Sequence, residues 1–151
     1  MSQSLSQIYL HVVFSTKERR PFLQDANCRE AMHRGLAKIS NGLGCPCLEA
    51  GGVADHVHVL SRLSKTLSAS DFVKELKRAS SAWVKETFPD MHAFYWQSGY
   101  GAFSVSPSHV GRLQHDIRNQ AKHHRKESFQ DELRRLLRKY ELEFDERYIW
   151  D

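Results

Sequence analysis

Gly51-Gly52-Val53-Ala54-Asp55-His56-Val57-His58-Val59-Leu60 reads as a loop running into a β-strand, and the rest of the chain is organised around it. Side chains alternate faces along a strand, so His56 and His58 point one way while Val57 and Val59 point the other. The two imidazoles then lie about 7 Å apart along the strand, close enough to share one metal ion, and the valines anchor the strand in a core. Read alone, these residues are slightly better explained as a half-buried strand that happens to carry two histidines. The flanking sequence decides between the two.

Outward from this strand, residues 47–50 form a second strand that Gly51-Gly52 joins to it as a hairpin. Residues 8–14 alternate, with Ile8, Leu10, Val12 and Phe14 on one face and Tyr9, His11 and Val13 on the other. A basic loop with Lys17, Arg19 and Arg20 follows, closed by Pro21. The spacing of Cys28, Ala31, Met32, Leu36 and Ile39 predicts a helix over 27–40, stopped by Asn41-Gly42. A second helix starts near Ser68, with Asp71 placed as in a capping box, and ends before Pro89. Phe72, Leu76, Ala79 and Trp83 make its core stripe, and Lys74, Lys77, Arg78 and Lys85 fall mostly on the other side. Residues 94–96 and 102–105 are strand candidates.

This order gives an α+β fold of the βαββαβ, ferredoxin-like or RRM-like kind: an antiparallel sheet with two helices on one face. The other face is expected to be open, with the histidines on it. Ser106-Pro107 then opens a helix expected to run to about residue 126, its polar line formed by His109, Arg112, Asp116, Gln120 and His124. Ser128 with Asp131 caps a last helix carrying Leu133, Leu136, Leu137 and Tyr140, and the tail after it is expected to dock. The whole chain, 1–151, reads as one domain: a sheet core over about 6–106, a helix over about 107–126, and a C-terminal helix and tail over about 128–151.

Composition narrows the class. At 40% hydrophobic and 26% charged residues the chain is ordinary for a soluble globular protein. No stretch approaches the roughly 18 to 20 apolar residues of a membrane helix, and the N-terminus lacks a signal-peptide pattern. The expectation is a cytoplasmic protein without a membrane partner. Cys28, Cys45 and Cys47 are odd in number and lack metal-knuckle spacing, so they read as reduced thiols. A net charge of +4 permits a polyanionic partner. Lys17, Arg19, Arg20, Lys74, Lys77 and Arg78 are the candidate phosphate contacts; solvated surface is the competing reading. Tyr95, Trp96 and Tyr100 could stack on unpaired bases, although core packing is the commoner fate of such rings. His123-His124 chelates poorly, since adjacent helical residues point apart.

Asp55-His56-Val57-His58-Val59-Leu60, Ser104-Val105-Ser106-Pro107 and Asn119-Gln120-Ala121-Lys122-His123-His124, in that order, resemble the single-tyrosine HUH transposases of single-strand insertion sequences, including the REP-associated tyrosine transposases. Phe14-Ser15-Thr16-Lys17, Trp96-Gln97-Ser98-Gly99-Tyr100 and Asp145-Glu146-Arg147-Tyr148-Ile149-Trp150-Asp151 extend the resemblance over nearly the whole chain. It implies a homodimer that cuts and rejoins single-stranded DNA beside short hairpins. It further implies a Mg2+ or Mn2+ ion held by His56, His58 and Gln120. The family's nucleophilic tyrosine stands four residues before that glutamine, and here the position is Asp116. Three readings follow: a fold and metal site without phosphotyrosine chemistry; attack by Tyr100, Tyr140, Tyr148 or water; or Asp116 as an added metal ligand. A non-catalytic module binding hairpin DNA or RNA on the same fold is the alternative function.

Overall fold

The computed structural model of the chain describes residues 2–120 and 127–151. Strand β1 (Tyr9–Ser15) leads through a short 3-10 turn (Lys17–Arg19) to helix α1 (Ala26–Gly42). Strands β2 (Cys47–Gly52) and β3 (His56–Arg62) form the expected hairpin, followed by helix α2 (Ala69–Thr87) and strand β4 (Gly101–Val105). The sheet is antiparallel with order β2-β3-β1-β4, the ferredoxin-like arrangement.

Local chemistry sets the helix boundaries. Asp25 caps α1 by accepting from Cys28 N at 2.9 Å, and Ser68 caps α2 by accepting from Asp71 N at 3.1 Å. Leu10, Val12, Phe14, Val57 and Val59 form one core with Met32, Leu36, Phe72 and Leu76 of the two helices. In α2 the most buried positions are Phe72, Val73, Leu76, Ser80 and Val84, leaving Ala79 and Trp83 half-buried. Ser80 is drawn inward because its hydroxyl accepts from Trp96 Nε1 at 2.9 Å. All three cysteines are free thiols.

Three expectations are corrected. Residues 94–96 do not form a strand: Thr16 and Trp96 make an isolated bridge at the end of β1. Phe94 and Trp96 instead pack edge-on at 4.7 Å, and Phe14 meets Trp96 at 4.8 Å. The segment after Ser106 starts with a 3-10 turn (Pro107–His109), and helix α3 covers only Val110–Arg118, with a turn at Asn119. His123, His124 and the rest of 121–126 lie outside the described residues.

The third correction matters most. The histidine face of the sheet is covered, not open. Helix α4 (Phe129–Lys139) lays Phe129, Leu133, Leu136 and Leu137 on Val13 and Phe103, while Ile117 of α3 packs on Leu60 and Val105. Val13, Leu60, Phe103 and Val105 make that face too apolar to leave in water.

Gly51 is what lets α3 sit this close. A Cβ there would lie 2.8 Å from Ile117 O and 2.9 Å from its Cγ2. Gly51→Ala is expected to destabilise the fold by about 1–3 kcal/mol through overpacking, read as a lowered midpoint in thermal denaturation, with α3 displaced from β2.

His33 of α1 supplies an acid-sensitive point. Burial, with help from the Arg29 guanidinium, lowers its pKa to about 4. The unfolded chain therefore takes up this proton first as pH falls, so stability is lost between the ordinary value near 6.5 and about 4. The expected loss is about 3 kcal/mol across that window. His33→Leu should remove this component from urea midpoints measured at pH 7 and pH 4.

Candidate metal centre

The β1–β3 register places Val13 opposite His58 and Ser15 opposite His56, so His11 is the diagonal neighbour of His58. All three imidazoles are buried. His56 Nδ1 lies 2.7 Å from Asp55 Oδ1, and His58 Nδ1 lies 2.8 Å from His11 Nε2. Both histidines thus have Nδ1 committed to a neighbour and Nε2 turned to the same point, the arrangement that orients imidazoles toward a metal. A lone pair on His58 Nε2 requires the proton on Nδ1, which then donates to His11 Nε2. Burial, followed by the field of His58, lowers the pKa of His11 to about 3, so it stays a neutral acceptor.

A third candidate ligand comes from α4. Glu132 Oε1 is 2.6 Å from His58 Nε2 and 4.0 Å from His56 Nε2, and the carboxylate is buried. Among the described histidine, cysteine, aspartate and glutamate side chains, His56, His58 and Glu132 are the group whose ligand atoms cluster, all within 4.8 Å of one another. Two neutral imidazoles and one buried carboxylate fit a divalent cation, which would balance the carboxylate's charge in a dry site. Sequence reading missed Glu132, although a signal was present. Phe129, Glu132, Leu133, Leu136 and Leu137 follow helical apolar spacing, and the carboxylate occupies a slot in the stripe that should be apolar.

Gln120, the third ligand that the family resemblance implies, lies beside this cluster. Its Nε2 donates to Asp116 O at 3.3 Å, and its buried Oε1 has no hydrogen-bond partner among the described residues. Gln120 and the exposed Asp116 line one cavity of about 250 Å3 together with His11, His58, Glu132 and Tyr140. Asp116, where the family resemblance implies a tyrosine, therefore opens onto the histidine site.

The basic residues divide into two groups. Thr16 N donates to Asp55 O at 2.9 Å, which ties the Lys17, Arg19 and Arg20 loop to the His56 end of β3. Arg20 pairs with Glu18 in solvent, and Arg19 lies over the Trp150 ring. By contrast, α2 packs on the valine side of the sheet, so Lys74, Lys77 and Arg78 are not brought to the histidines. Lys77 donates to the carbonyls of Gln97, Ser98 and Gly99 at 2.7–3.1 Å, bracketing that loop, and Arg78 pairs with Glu75. Trp96 is buried, whereas Tyr95 and Tyr100 are exposed. The tail docks as expected, with Gly99 N donating to Asp151 O at 2.6 Å. Among the described residues, no helix is long and apolar enough to cross a membrane.

Residues 4–120 match the family model described as Transposase IS200 like. The transposases for insertion sequence element IS200 of Salmonella typhimurium and Salmonella typhi are each 31% identical over 115 residues, covering 73% of this chain and 74% of theirs. A solved chain from Deinococcus radiodurans, assigned as a transposase, superposes with TM-score 0.62 at 25% identity, covering 80% of this chain and 98% of that one. A REP-associated tyrosine transposase solved with a REP hairpin shares the fold, with TM-score 0.57 at 12% identity over 82% of this chain and 74% of its own. Glu132 lies beyond the family-matched segment. On the family match and the Salmonella relatives, the chain belongs to the IS200-like transposase family.

Proposed function

We propose that this chain is a metal-dependent, single-stranded DNA-binding protein of the transposase type, acting on hairpin ends as a homodimer and impaired in strand transfer at Asp116. The observation that carries this reading is the cavity shared by His58, Glu132, Gln120 and Asp116 in an IS200-like fold. His56, His58 and Glu132 would hold Mg2+ or Mn2+, with Gln120 Oε1 available as a further donor. Such an ion, when bound, offsets charge developing on a scissile phosphate.

Strand transfer needs a nucleophile that can also leave. A tyrosine oxygen attacks phosphorus, the bond to the 3′ oxygen breaks, and that oxygen takes up a proton. The 5′ end is held as a phosphotyrosine that a later 3′ hydroxyl can attack. An aspartate in the same place would form an acyl phosphate, which hydrolyses readily. Asp116 therefore leaves DNA and metal binding in place while disabling rejoining.

One observation favours a second reading. Tyr140 lines the same cavity, its ring stacked on Phe103 at 4.8 Å, whereas Tyr148 is 64% exposed and Tyr100 lies under Lys77. Tyr140 is the candidate substitute nucleophile.

The test is gel-shift binding of a hairpin oligonucleotide with single-stranded flanks, in Mg2+ and in EDTA. The expected result is binding that strengthens with Mg2+ and prefers the flanked hairpin over plain duplex, without a covalent adduct. An adduct abolished by Tyr140→Phe would establish the second reading. Binding indifferent to Mg2+, with no cleavage, would leave a non-catalytic hairpin module.

A further inference from the structure

The cavity holding the metal ligands also carries cations that the metal site does not use. Its wall includes His109, Arg112, Arg135 and Lys139 beside Asp116 and Glu132. Arg135 is committed: its guanidinium reaches both carboxylate oxygens of Glu127 at 3.1–3.3 Å. Arg112, in the first turn of α3, and Lys139, in the last turn of α4, are exposed and have no acidic partner within ion-pair distance among the described residues.

We propose that Arg112 and Lys139 form a clamp for one phosphodiester at the mouth of this cavity, over the His56–His58–Glu132 cluster. This rests on the metal-centre reading above. The charge balance supports it. Glu132 would offset half of a divalent ion's charge, and the exposed Asp116 carboxylate on the same wall repels an anion, so Arg112 and Lys139 supply the positive charge that a phosphate needs there. Size supports it too. A cavity of about 250 Å3 falls below the roughly 300–1,000 Å3 of sites that enclose a whole small ligand. It suits part of a nucleotide held by its backbone, the contact that Lys and Arg make to nucleic acids without reading sequence. The two cations come from different helices, α3 inside the family-matched segment and α4 beyond it. Docking of α4 therefore completes the anion site as well as the ligand set.

Two measurements on the full chain test the clamp. The first is the salt dependence of oligothymidylate binding, taken in EDTA so that it does not depend on metal. Arg112→Ala and Lys139→Ala should each weaken binding about tenfold and lower the log–log salt slope by about 0.7, the value for one lost single-strand phosphate contact. Arg138→Ala, an exposed neighbour on α4 that does not line the cavity, should leave the slope unchanged. The second is relaxation of the 31P signal of inorganic phosphate by Mn2+-loaded protein. It should be strong in the parent chain and Arg138→Ala, and weak in the two clamp variants. Unchanged slopes or equal losses in Arg138→Ala would each overturn the clamp, as would phosphate relaxation indifferent to Arg112 and Lys139 in protein shown to hold Mn2+. Mn2+ affinity, read separately by electron paramagnetic resonance, reports on the metal centre. Loss of Mn2+ binding alone, with the slope effects intact, rejects that reading and keeps the clamp.

Discussion

Asp116→Tyr is expected to produce a covalent protein–DNA adduct where the parent chain forms none. Residue 116 lines the cavity that holds His58, Glu132 and Gln120, and its side chain is exposed to that space rather than locked in a core. A phenol placed there has access to a phosphate at the metal site without repacking the fold. Removal of a nucleophile from a working enzyme costs on the order of 10^4 to 10^6 in rate, so its restoration should raise strand cleavage by at least about 10^3. The adduct should require Mg2+ or Mn2+ and should be visible as a shifted band on a denaturing gel. If the variant binds the hairpin oligonucleotide normally yet gives neither cleavage nor adduct, the impairment does not reside at residue 116.

The second large effect concerns which residue completes the ligand set. Glu132→Ala is expected to weaken Mn2+ binding by about 100-fold or more, because it removes the one carboxylate of the His56, His58 and Glu132 cluster and leaves two imidazoles. Gln120→Ala should cost about tenfold or less, since its neutral amide oxygen is at most an added donor. Isothermal titration with Mn2+ measures both. A larger loss from Gln120→Ala than from Glu132→Ala would return the third-ligand role to the glutamine that the family resemblance implies. Both variants should stay folded, which far-ultraviolet circular dichroism checks. Removing Glu132 from among His56, His58 and the apolar stripe of α4 relieves a buried charge as well as deleting a ligand.

Much of the fold was legible because its signals are local. Alternation in β1 and β3 assigned faces to His11, His56 and His58, and Ser68 and Ser128 each marked a helix start that the cap geometry bears out. The ordered motifs around Asp55–Leu60 and Asn119–Gln120 pointed to the family that the comparisons show. What escaped was tertiary. The stripe of Phe129, Leu133, Leu136 and Leu137 announced an amphipathic helix without saying that it would roof the histidines. Glu132 was hidden for the same reason, since a lone carboxylate in an apolar stripe acquires meaning only once the stripe has a destination. Residues 94–96 misled because aromatic content imitates a strand, although these rings pack around the end of β1 rather than pairing along it. Lys77 looked like part of a solvated basic face, but its long stem lets the ammonium turn into the 97–99 loop.

The most direct test of the metal centre is anomalous diffraction from crystals of the full chain soaked in Mn2+. The metal centre should give one strong peak bounded by His56 Nε2, His58 Nε2 and the Glu132 carboxylate, facing Asp116 across the cavity. No peak there, or a peak at another group of residues, would contradict it.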